Sequence, residues 1–250
     1  MKSPLLYILE VLFCSGLLLA FYRLLLVRKV SFRACRRYLV AAVFLSAVIP
    51  ALDIPLYPAR TVVYPLPLIA APPAENFVQT TGELPVAVPV VPSGWRRILR
   101  PMAVGGYLTA VFLSLGFLAV RMVGIRRLRR RSRLTDCGAY TLAEHPQIAT
   151  PFSFLRTVFL GGGYEGRRRM IVLCHEAGHV RHRHSAERIA VELVRSLFWF
   201  NPFVWIAGRW LQEVHEWEAD RDVLDAGYDL TEYRTVIFHQ LFGHNPDIAC

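Results

Sequence analysis

The stretch Cys174-His175-Glu176-Ala177-Gly178-His179 decides how the rest of the chain is interpreted, because it lies within a pattern typical of an α-helix. Residues i and i+4 of a helix share one face, so His175 and His179 can both offer an imidazole nitrogen to one metal ion. Glu176 lies one step around the helix, where its carboxylate can take a proton from a water molecule without binding the metal. Two neutral nitrogen donors beside a free carboxylate favour a zinc site.

A second helix is predicted to begin at Pro202, directly after Phe198-Trp199-Phe200-Asn201. Asparagine is a good N-terminal cap and proline a good first helical residue. This helix is expected to run to about Asp225 and to end at Gly227. The first helix is expected to run without a break from about residue 167 to about residue 197.

The second helix carries the candidate for a third metal ligand. Glu216 and Asp220 are four residues apart and therefore face the same way. Two histidines and Glu216 would leave one tetrahedral position open for water, and Asp220 would hold an imidazole, that of His175, by its other N–H. His215 is the better zinc ligand by chemistry, but it has no carboxylate four residues further on. Glu218 is rotated about 200° from Glu216 and is expected to face away.

Three other residues of the first helix need an interpretation. Gly178 costs about 1 kcal/mol relative to alanine, a loss that is easier to accept where a substrate or a neighbouring element must come close. His182 and His184 do not fit the third-ligand spacing of the metzincin pattern. Both are predicted to be histidines on a polar helix face.

The apolar residues occur in blocks of membrane-spanning length and not in the pattern of a soluble core. The chain has 250 residues, of which 54% are hydrophobic, and a bilayer core requires about 20 apolar residues per helix. Three spans are predicted, at Leu5–Leu26, at about Tyr38–Leu52 and from Pro101 to about Ala119. Between the second and third spans, residues 58–100 are rich in proline and poor in charge, which predicts an extended loop near the membrane surface.

Runs of basic residues follow the first and third spans, and the formal net charge of the chain is +10. Such runs can bind nucleic acid, but their position directly after spans favours contact with anionic lipid, and no nucleic-acid binding is predicted. The positive-inside rule places the N-terminus and the proline-rich loop outside, and everything after residue 120 in the cytoplasm. The predicted location is the inner (cytoplasmic) membrane, crossed several times. The twelve basic residues are Arg28, Lys29, Arg33, Arg36, Arg37, Arg121, Arg126, Arg127, Arg129, Arg130, Arg131 and Arg133.

Two further regions are interpreted from local composition. Residues 134–166 are predicted to form strands and loops, with the best strand candidate at Thr157-Val158-Phe159-Leu160. The apolar run 189–211 is nearly long enough to span a bilayer, but charged residues interrupt it. Its aromatic residues favour a pair of helices seated at the membrane interface, and a fourth span is the alternative.

Together these motifs resemble the BlaR/MecR family of membrane-embedded zinc metallopeptidases. The resemblance implies that His175, His179 and Glu216 bind Zn²⁺ and that Glu176 is the catalytic acid/base. It also implies a gluzincin-like domain on the cytoplasmic face of a small helical bundle, which cuts a cytoplasmic protein such as a transcriptional repressor. The motifs are the three spans, Pro151-Phe152-Ser153-Phe154, the H-E-x-x-H pair, Phe198-Trp199-Phe200-Asn201-Pro202 with Trp205, and Glu216-x-x-x-Asp220.

The expected fold class is therefore mainly α: a polytopic helical membrane protein with a cytoplasmic gluzincin-like zinc-peptidase domain that contains a small strand region. Residues 1–57 would hold two transmembrane helices and a short cytoplasmic basic loop, and residues 58–100 an extracytoplasmic loop. Residues 101–122 would form the third transmembrane helix and 123–250 the cytoplasmic or interfacial peptidase domain. Receptors of this family normally carry a further span and an outer penicillin-binding sensor domain. This chain has no Ser-x-x-Lys sequence, so antibiotic sensing is not expected.

The leading functional hypothesis is an endopeptidase in which the substrate backbone adds as a strand beside Thr157, Val158, Phe159 and Leu160. The group that stabilises the oxyanion is unassigned; Tyr228, Tyr233 and His239 are downstream candidates, each more typical of a structural role. Two alternatives remain, a non-catalytic signalling scaffold with a structural zinc site and a Ste24/HtpX-like membrane quality-control peptidase. An open fourth coordination position would favour an enzyme over the scaffold.

Overall fold

The computed structural model describes residues 4–27, 29–52 and 94–242. The chain divides into two compact units, one of Met1–Leu52 with Leu108–Cys250 and one of Asp53–Tyr107. Most of the predicted proline-rich loop lies outside the described residues. The carboxyl-terminal end of that predicted loop is helical, because helix α3 begins at Gly94.

Three helices are long and apolar enough to cross a membrane, and no other helix among the described residues meets that criterion. The three candidates agree in number with the three predicted spans, but two helix boundaries differ from the prediction. Helix α2 begins at Phe32 and not at about Tyr38, because Ser31 caps it by accepting a hydrogen bond from the Ala34 amide. Helix α3 continues through the arginine run to Arg131. The helices are α1 (Pro4–Phe21, continued by a π-helical turn at Tyr22–Leu26), α2 (Phe32–Val48, continued by a 3₁₀ turn at Ile49–Ala51) and α3 (Gly94–Arg131), and the candidate spans are Pro4–Leu26, Phe32–Ala51 and Ile98–Arg131.

A small mixed sheet follows α3, as the sequence predicted for this region. Its strands lie in the order β1-β2-β4-β3, so β4 is a central strand and β3 an edge strand. Strand β4 pairs in parallel with β2 and antiparallel with β3, and β1 pairs antiparallel with β2. The strands are β1 (Arg133–Asp136), β2 (Thr141–Glu144), β3 (Phe152–Phe154) and β4 (Thr157–Leu160).

Four helices complete the described fold, and the predicted continuous first helix is in fact two helices. Helix α4 ends at Arg181 and α5 begins at His184. Between them Arg183 adopts the left-handed conformation, with φ of 59°, which a non-glycine residue adopts at a cost of roughly 1–2 kcal/mol. The four helices are α4 (Gly166–Arg181), α5 (His184–Leu197), α6 (Pro202–Asp225) and α7 (Leu230–Phe242).

The turn between α5 and α6 is formed by the aromatic-Asn-Pro sequence. Asn201 is fully buried; its side-chain oxygen accepts a hydrogen bond from the Phe203 amide and caps α6 as predicted. Its side-chain nitrogen donates to the hydroxyl of Ser15 on α1 at 2.8 Å. A single asparagine therefore begins α6 and joins the turn to the first candidate span.

The core consists of a helical cluster and the two faces of the sheet. In the helical cluster, apolar side chains of α1, α2, α5 and α6 pack together. One face of the sheet packs with α4 and α7, and the other face packs with the end of α3. Helices α4 and α6 approach closely at Gly178, where a Cβ atom would lie 2.9 Å from Asp222 Oδ2 and 3.5 Å from Ala219 Cα. A glycine is therefore accepted within α4 because a neighbouring helix comes close, as the sequence analysis expected.

Candidate metal centre

The helices α4 and α6 bring together three side chains that could bind a metal ion. The Nε2 atoms of His175 and His179 lie 3.2 Å apart. Glu216 Oε2 lies 3.5 Å from His175 Nε2 and 3.7 Å from His179 Nε2. Among the described residues, these three form the group of potential metal ligands whose donor atoms all lie within 4.8 Å of one another.

This triangle fits a catalytic zinc ion. Bonds of about 2.0–2.1 Å in tetrahedral geometry place neighbouring ligand atoms roughly 3.3–3.4 Å apart, close to the three measured distances. The donor set of two imidazole nitrogens and one carboxylate oxygen is also one that catalytic zinc uses. The Glu216 side chain is 50% exposed, whereas the side chains of His175 and His179 are 18% and 12% exposed. The centre is therefore open on the Glu216 side, where a fourth, non-protein ligand could approach.

Glu176 is buried beside this centre, with 8% of its surface exposed. Burial raises the pKa of Glu176, and the neighbouring His175 and His179 and a hydrogen bond with Ser153 act in the opposite direction. The net result is a carboxyl group with a pKa above its ordinary value. A pKa nearer to neutral suits a group that must accept and return a proton.

His175 is held on the side away from the triangle by two polar groups. Its Nδ1 atom lies 2.9 Å from the Tyr233 hydroxyl and 3.3 Å from Asp220 Oδ1, and the tyrosine donates a hydrogen bond to that carboxylate. Asp220 therefore lies where the sequence placed it, with Tyr233 as an additional partner. Burial lowers the pKa of His175, but its hydrogen bonds to Asp220 and Glu216 outweigh burial and raise the pKa to about 9. The two carboxylates that favour this protonation also favour a bound metal cation.

His179 is held on its far side by a chain of three residues. His179 Nδ1 lies 2.8 Å from His184 Nδ1. If His179 uses Nε2 for the metal, its Nδ1–H donates to His184, whose proton is then on Nε2, 3.2 Å from Glu218 Oε2. The same carboxylate oxygen accepts from Arg36 Nη1 at 2.6 Å. The Arg36 Nη1 atom also lies 3.0 Å from His184 Nε2, but the carboxylate is the closer and charged acceptor. A continuous set of contacts thus joins the start of α2 to His179.

His182 and His184 are mostly buried and do not lie on a polar surface, so that prediction was wrong. His184 is 3% exposed and stacks on His215 with ring centroids 4.1 Å apart. Burial and the neighbouring His215 lower the pKa of His184, so the ring is neutral. His182 contacts Asp222 at 2.9 Å. The break at Arg183 is the physical reason, since it turns the start of α5 back toward α4.

His215 and Glu218, which the sequence analysis did not choose as the third metal ligand, have other partners on α5 and α2. His215 is 4% exposed, and its Nε2 lies 2.9 Å from Glu187 Oε2. Glu218 is on the opposite side of α6 from Glu216, as the helix geometry predicts, but it is 5% exposed and contacts Arg36 and not solvent.

The substrate-strand prediction at Thr157, Val158, Phe159 and Leu160 was wrong. These residues form β4, which is buried and paired with β2 along its whole length and with β3 at its first three residues. A strand whose two edges are already paired cannot add a further backbone. The free edge next to α4 belongs to β3, which contains Ser153, one of the groups that lower the pKa of Glu176.

Of the three downstream candidates for stabilising the oxyanion, two have packing or hydrogen-bond partners in the structure. Tyr228 packs against the sheet and α4 cluster and lies under the Arg167 guanidinium, and the side chain of His239 lies outside the described ones. Tyr233 was considered only for the oxyanion, yet its hydroxyl binds Asp220. Sequence reasoning missed Arg36, whose contact with Glu218 joins residues 182 positions apart and has no local signal.

Comparison with known proteins places this geometry in a family. No curated protein matches the chain. The family model described as BlaR1 peptidase M56 matches residues 11–248, which include both helices of the metal centre and the three candidate spans almost entirely. The chain therefore belongs to the BlaR1 peptidase M56 family.

Proposed function

We propose that this protein is a membrane-bound, zinc-dependent endopeptidase that cuts a cytoplasmic or membrane protein in a signalling response. Its family is one of membrane-associated metallopeptidases. The observation that carries the proposal is the triangle of His175, His179 and Glu216 with Glu176 buried beside it. Cleavage of a transcriptional repressor is the signalling event that we favour, because the resemblance to the BlaR/MecR family implies it.

The open side of the centre supports an enzyme over a scaffold with a structural zinc site. Structural zinc is usually enclosed by four protein ligands, whereas catalytic zinc has three and an open position. Here the candidate centre has three protein donors, and the side chain of one of them, Glu216, is half-exposed. A buried carboxyl group with a raised pKa next to the donors, such as Glu176, also suits a general base.

In the proposed reaction, His175, His179 and Glu216 would hold the ion, which when bound supplies Lewis acidity for water activation and for polarising the scissile carbonyl. Glu176 accepts the proton of the attacking water and returns it to the leaving amine. Ser153, on β3, interacts with the Glu176 carboxyl and lowers its pKa. Asp220 with Tyr233, and His184, hold the two imidazoles with Nε2 free.

The substrate would bind in extended form along β3. The strand is at the edge of the sheet, packs near α4 and is half-buried. An edge strand offers unpaired backbone groups to which an extended peptide can hydrogen-bond. A peptide bound there would pass the Ser153–Glu176 pair.

The metal centre would lie in the cytoplasm. Arg36 is one of the basic residues that follow the first span, and it pairs with Glu218 on α6, so the basic end of α2 and the centre are on the same side of the bilayer. The positive-inside rule favours the cytoplasm for that side. A reporter fused near residue 75 should be active outside and one fused near residue 140 inside; the reverse pattern would refute repressor cleavage.

Comparative proteomics of cells that carry either the native chain or Glu176→Gln tests the activity. The glutamine variant should retain the metal and the fold, so the two cell types differ only in peptidase chemistry. A protein that is shortened in native cells and full-length in variant cells would be the substrate. Identical sets of protein termini in the two cell types, under conditions that activate the native chain, would contradict the endopeptidase proposal.

A further inference from the structure

The hairpin formed by α5 and α6 reaches the middle of the candidate membrane spans. Asn201, at the tip of the hairpin, donates a hydrogen bond to Ser15, which lies eleven residues from the end of the span Pro4–Leu26. At about 1.5 Å per residue, Ser15 is roughly 16 Å from that end. Half of a bilayer hydrocarbon core is about 15 Å. The tip is therefore level with the middle of the first span.

Contacts of the hairpin with α2 and with α3 independently indicate a similar depth for its tip. Val43, eleven residues after the start of the span Phe32–Ala51, lines a small cavity with Phe203 and Val204 of α6. On α3, the Ser114 hydroxyl contacts the Ser196 hydroxyl of α5 at 2.8 Å. Ser114 lies seven residues before Arg121, the first charge after the apolar run, and Ser196 lies five residues before the tip. The seven residues of α3 correspond to roughly 10 Å of helix below the charged level, and the tip lies beyond Ser196, because α5 ends at Leu197 and a turn leads from there to Asn201.

The outer surface of the hairpin tip is apolar. Leu197, Trp199 and Trp205 are 45%, 43% and 42% exposed, although each is a large apolar side chain. The charge nearest the tip, Arg195, pairs with Glu192, and its guanidinium lies 4.2 Å from the centre of the Trp205 ring. Charged groups within a membrane are paired in this way. The surface is thus suited to hydrocarbon and not to water.

We propose that α5 and α6 form a re-entrant hairpin that is inserted to mid-bilayer depth among lipid acyl chains, and that this insertion fixes the metal centre at the level of the lipid headgroups. Glu216 lies fifteen residues after Asn201, or roughly 22 Å along α6. Subtracting about 15 Å for half the hydrocarbon core leaves the centre about 7 Å above the hydrocarbon edge. The neighbouring residue Trp217 packs on Phe32, the first residue of the second span, which gives the same level.

The consequence concerns the class of substrate. A centre at headgroup level acts on polypeptide that lies along the membrane surface or emerges from it, and a compact protein would have to present an extended segment there. This interpretation replaces both earlier readings of residues 189–211, because the segment neither lies flat at the interface nor spans the bilayer. The depth of the hairpin does not depend on whether the protein is a peptidase.

Tryptophan fluorescence in vesicles tests the proposal. The full chain is reconstituted in phosphatidylcholine vesicles brominated either near the ends of the acyl chains or near the headgroups, and native protein is compared with Trp199→Phe and with the matched control Trp217→Phe. Both tryptophans are 43% exposed, so a difference in their quenching reports a difference in depth and not in accessibility. The fluorescence lost in Trp199→Phe should be quenched at least twofold more by bromine near chain ends, and that lost in Trp217→Phe at least twofold more by bromine near headgroups.

Two results would overturn the proposal. Equal or stronger quenching of the Trp199 component by headgroup bromine would place the hairpin at the surface. Quenching of the Trp217 component by a water-soluble quencher but by neither lipid would place the metal centre above the membrane. If Trp199→Phe does not fold, as judged by circular dichroism, Trp205→Phe reports on the same hairpin and should lose a component quenched mainly by bromine near chain ends.

Discussion

Replacing His184 by alanine should weaken zinc binding although His184 does not contact the metal position. The Nδ1–H group of His179 donates to His184 Nδ1 at 2.8 Å, and the His179 side chain is 12% exposed. In His184→Ala that donor is left buried without a partner, at a cost of about 1–3 kcal/mol. Since about 1.4 kcal/mol is tenfold in affinity, the expected loss is roughly 10- to 100-fold. Loss of a group that orients a metal ligand typically weakens metal binding by the same factor of about 10–100.

The assay is competition for zinc between the purified metal-free protein in detergent and a chromophoric chelator. His182→Ala is the matched control, because His182 is in the same helix break and also packs on His184, but its closest polar contact is with Asp222 and it has none with His179. The zinc affinity of this variant should stay within about threefold of native, as expected when no ligand loses its partner. In His184→Asn the amide oxygen can accept the His179 hydrogen bond near the position of Nδ1, so this variant should recover part of the lost zinc affinity.

Thermal unfolding of the metal-free variants separates a positioning role from a structural one. A His184→Ala protein that unfolds near the native temperature but binds zinc more weakly supports positioning. Zinc affinities of His184→Ala and His182→Ala that are both equal to native would refute the reasoning. Failure of native protein to bind zinc would instead refute the proposed metal centre.

Three other predictions follow from the same geometry. Arg36→Met removes the closer of the two arginine partners of the buried Glu218 and leaves the longer contact with Arg33 at 3.7 Å, so the free energy of unfolding of the purified protein should fall by about 3–5 kcal/mol. Replacing the exposed neighbour in Arg37→Met should change that free energy by less than about 0.5 kcal/mol; equal effects would contradict a buried pair. Glu216→Ala should lose zinc, measured as metal content, while Glu218→Ala retains it with lower affinity; retention in the first and loss in the second would show that the ligand has been misassigned. Glu176→Gln should keep zinc but cleave an identified substrate at least roughly 10²-fold more slowly, and cleavage at the native rate would exclude Glu176 as the base.

The parts of the structure that sequence could predict are those fixed by local spacing. His175 and His179 share a face because they are four residues apart, and Asn201 caps α6 because of its own side chain. The parts that it could not predict depend on contacts between distant residues. The central position of β4 depends on the order in which four short strands pair, and the start of α2 depends on a single cap at Ser31.

The break at Arg183 belongs to the second kind, and it connects the membrane helices to the chemistry. Neither glycine nor proline marks the break, and the left-handed backbone of Arg183 is unfavourable by itself. It is stabilised by what it brings together, since it places His184 against His179 and, on its other side, against Glu218. Because Glu218 pairs with Arg36, displacing the start of α2 would disturb an imidazole that faces the metal position. Three contacts therefore connect the second span to His179: Arg36 with Glu218, Glu218 with His184, and His184 with His179.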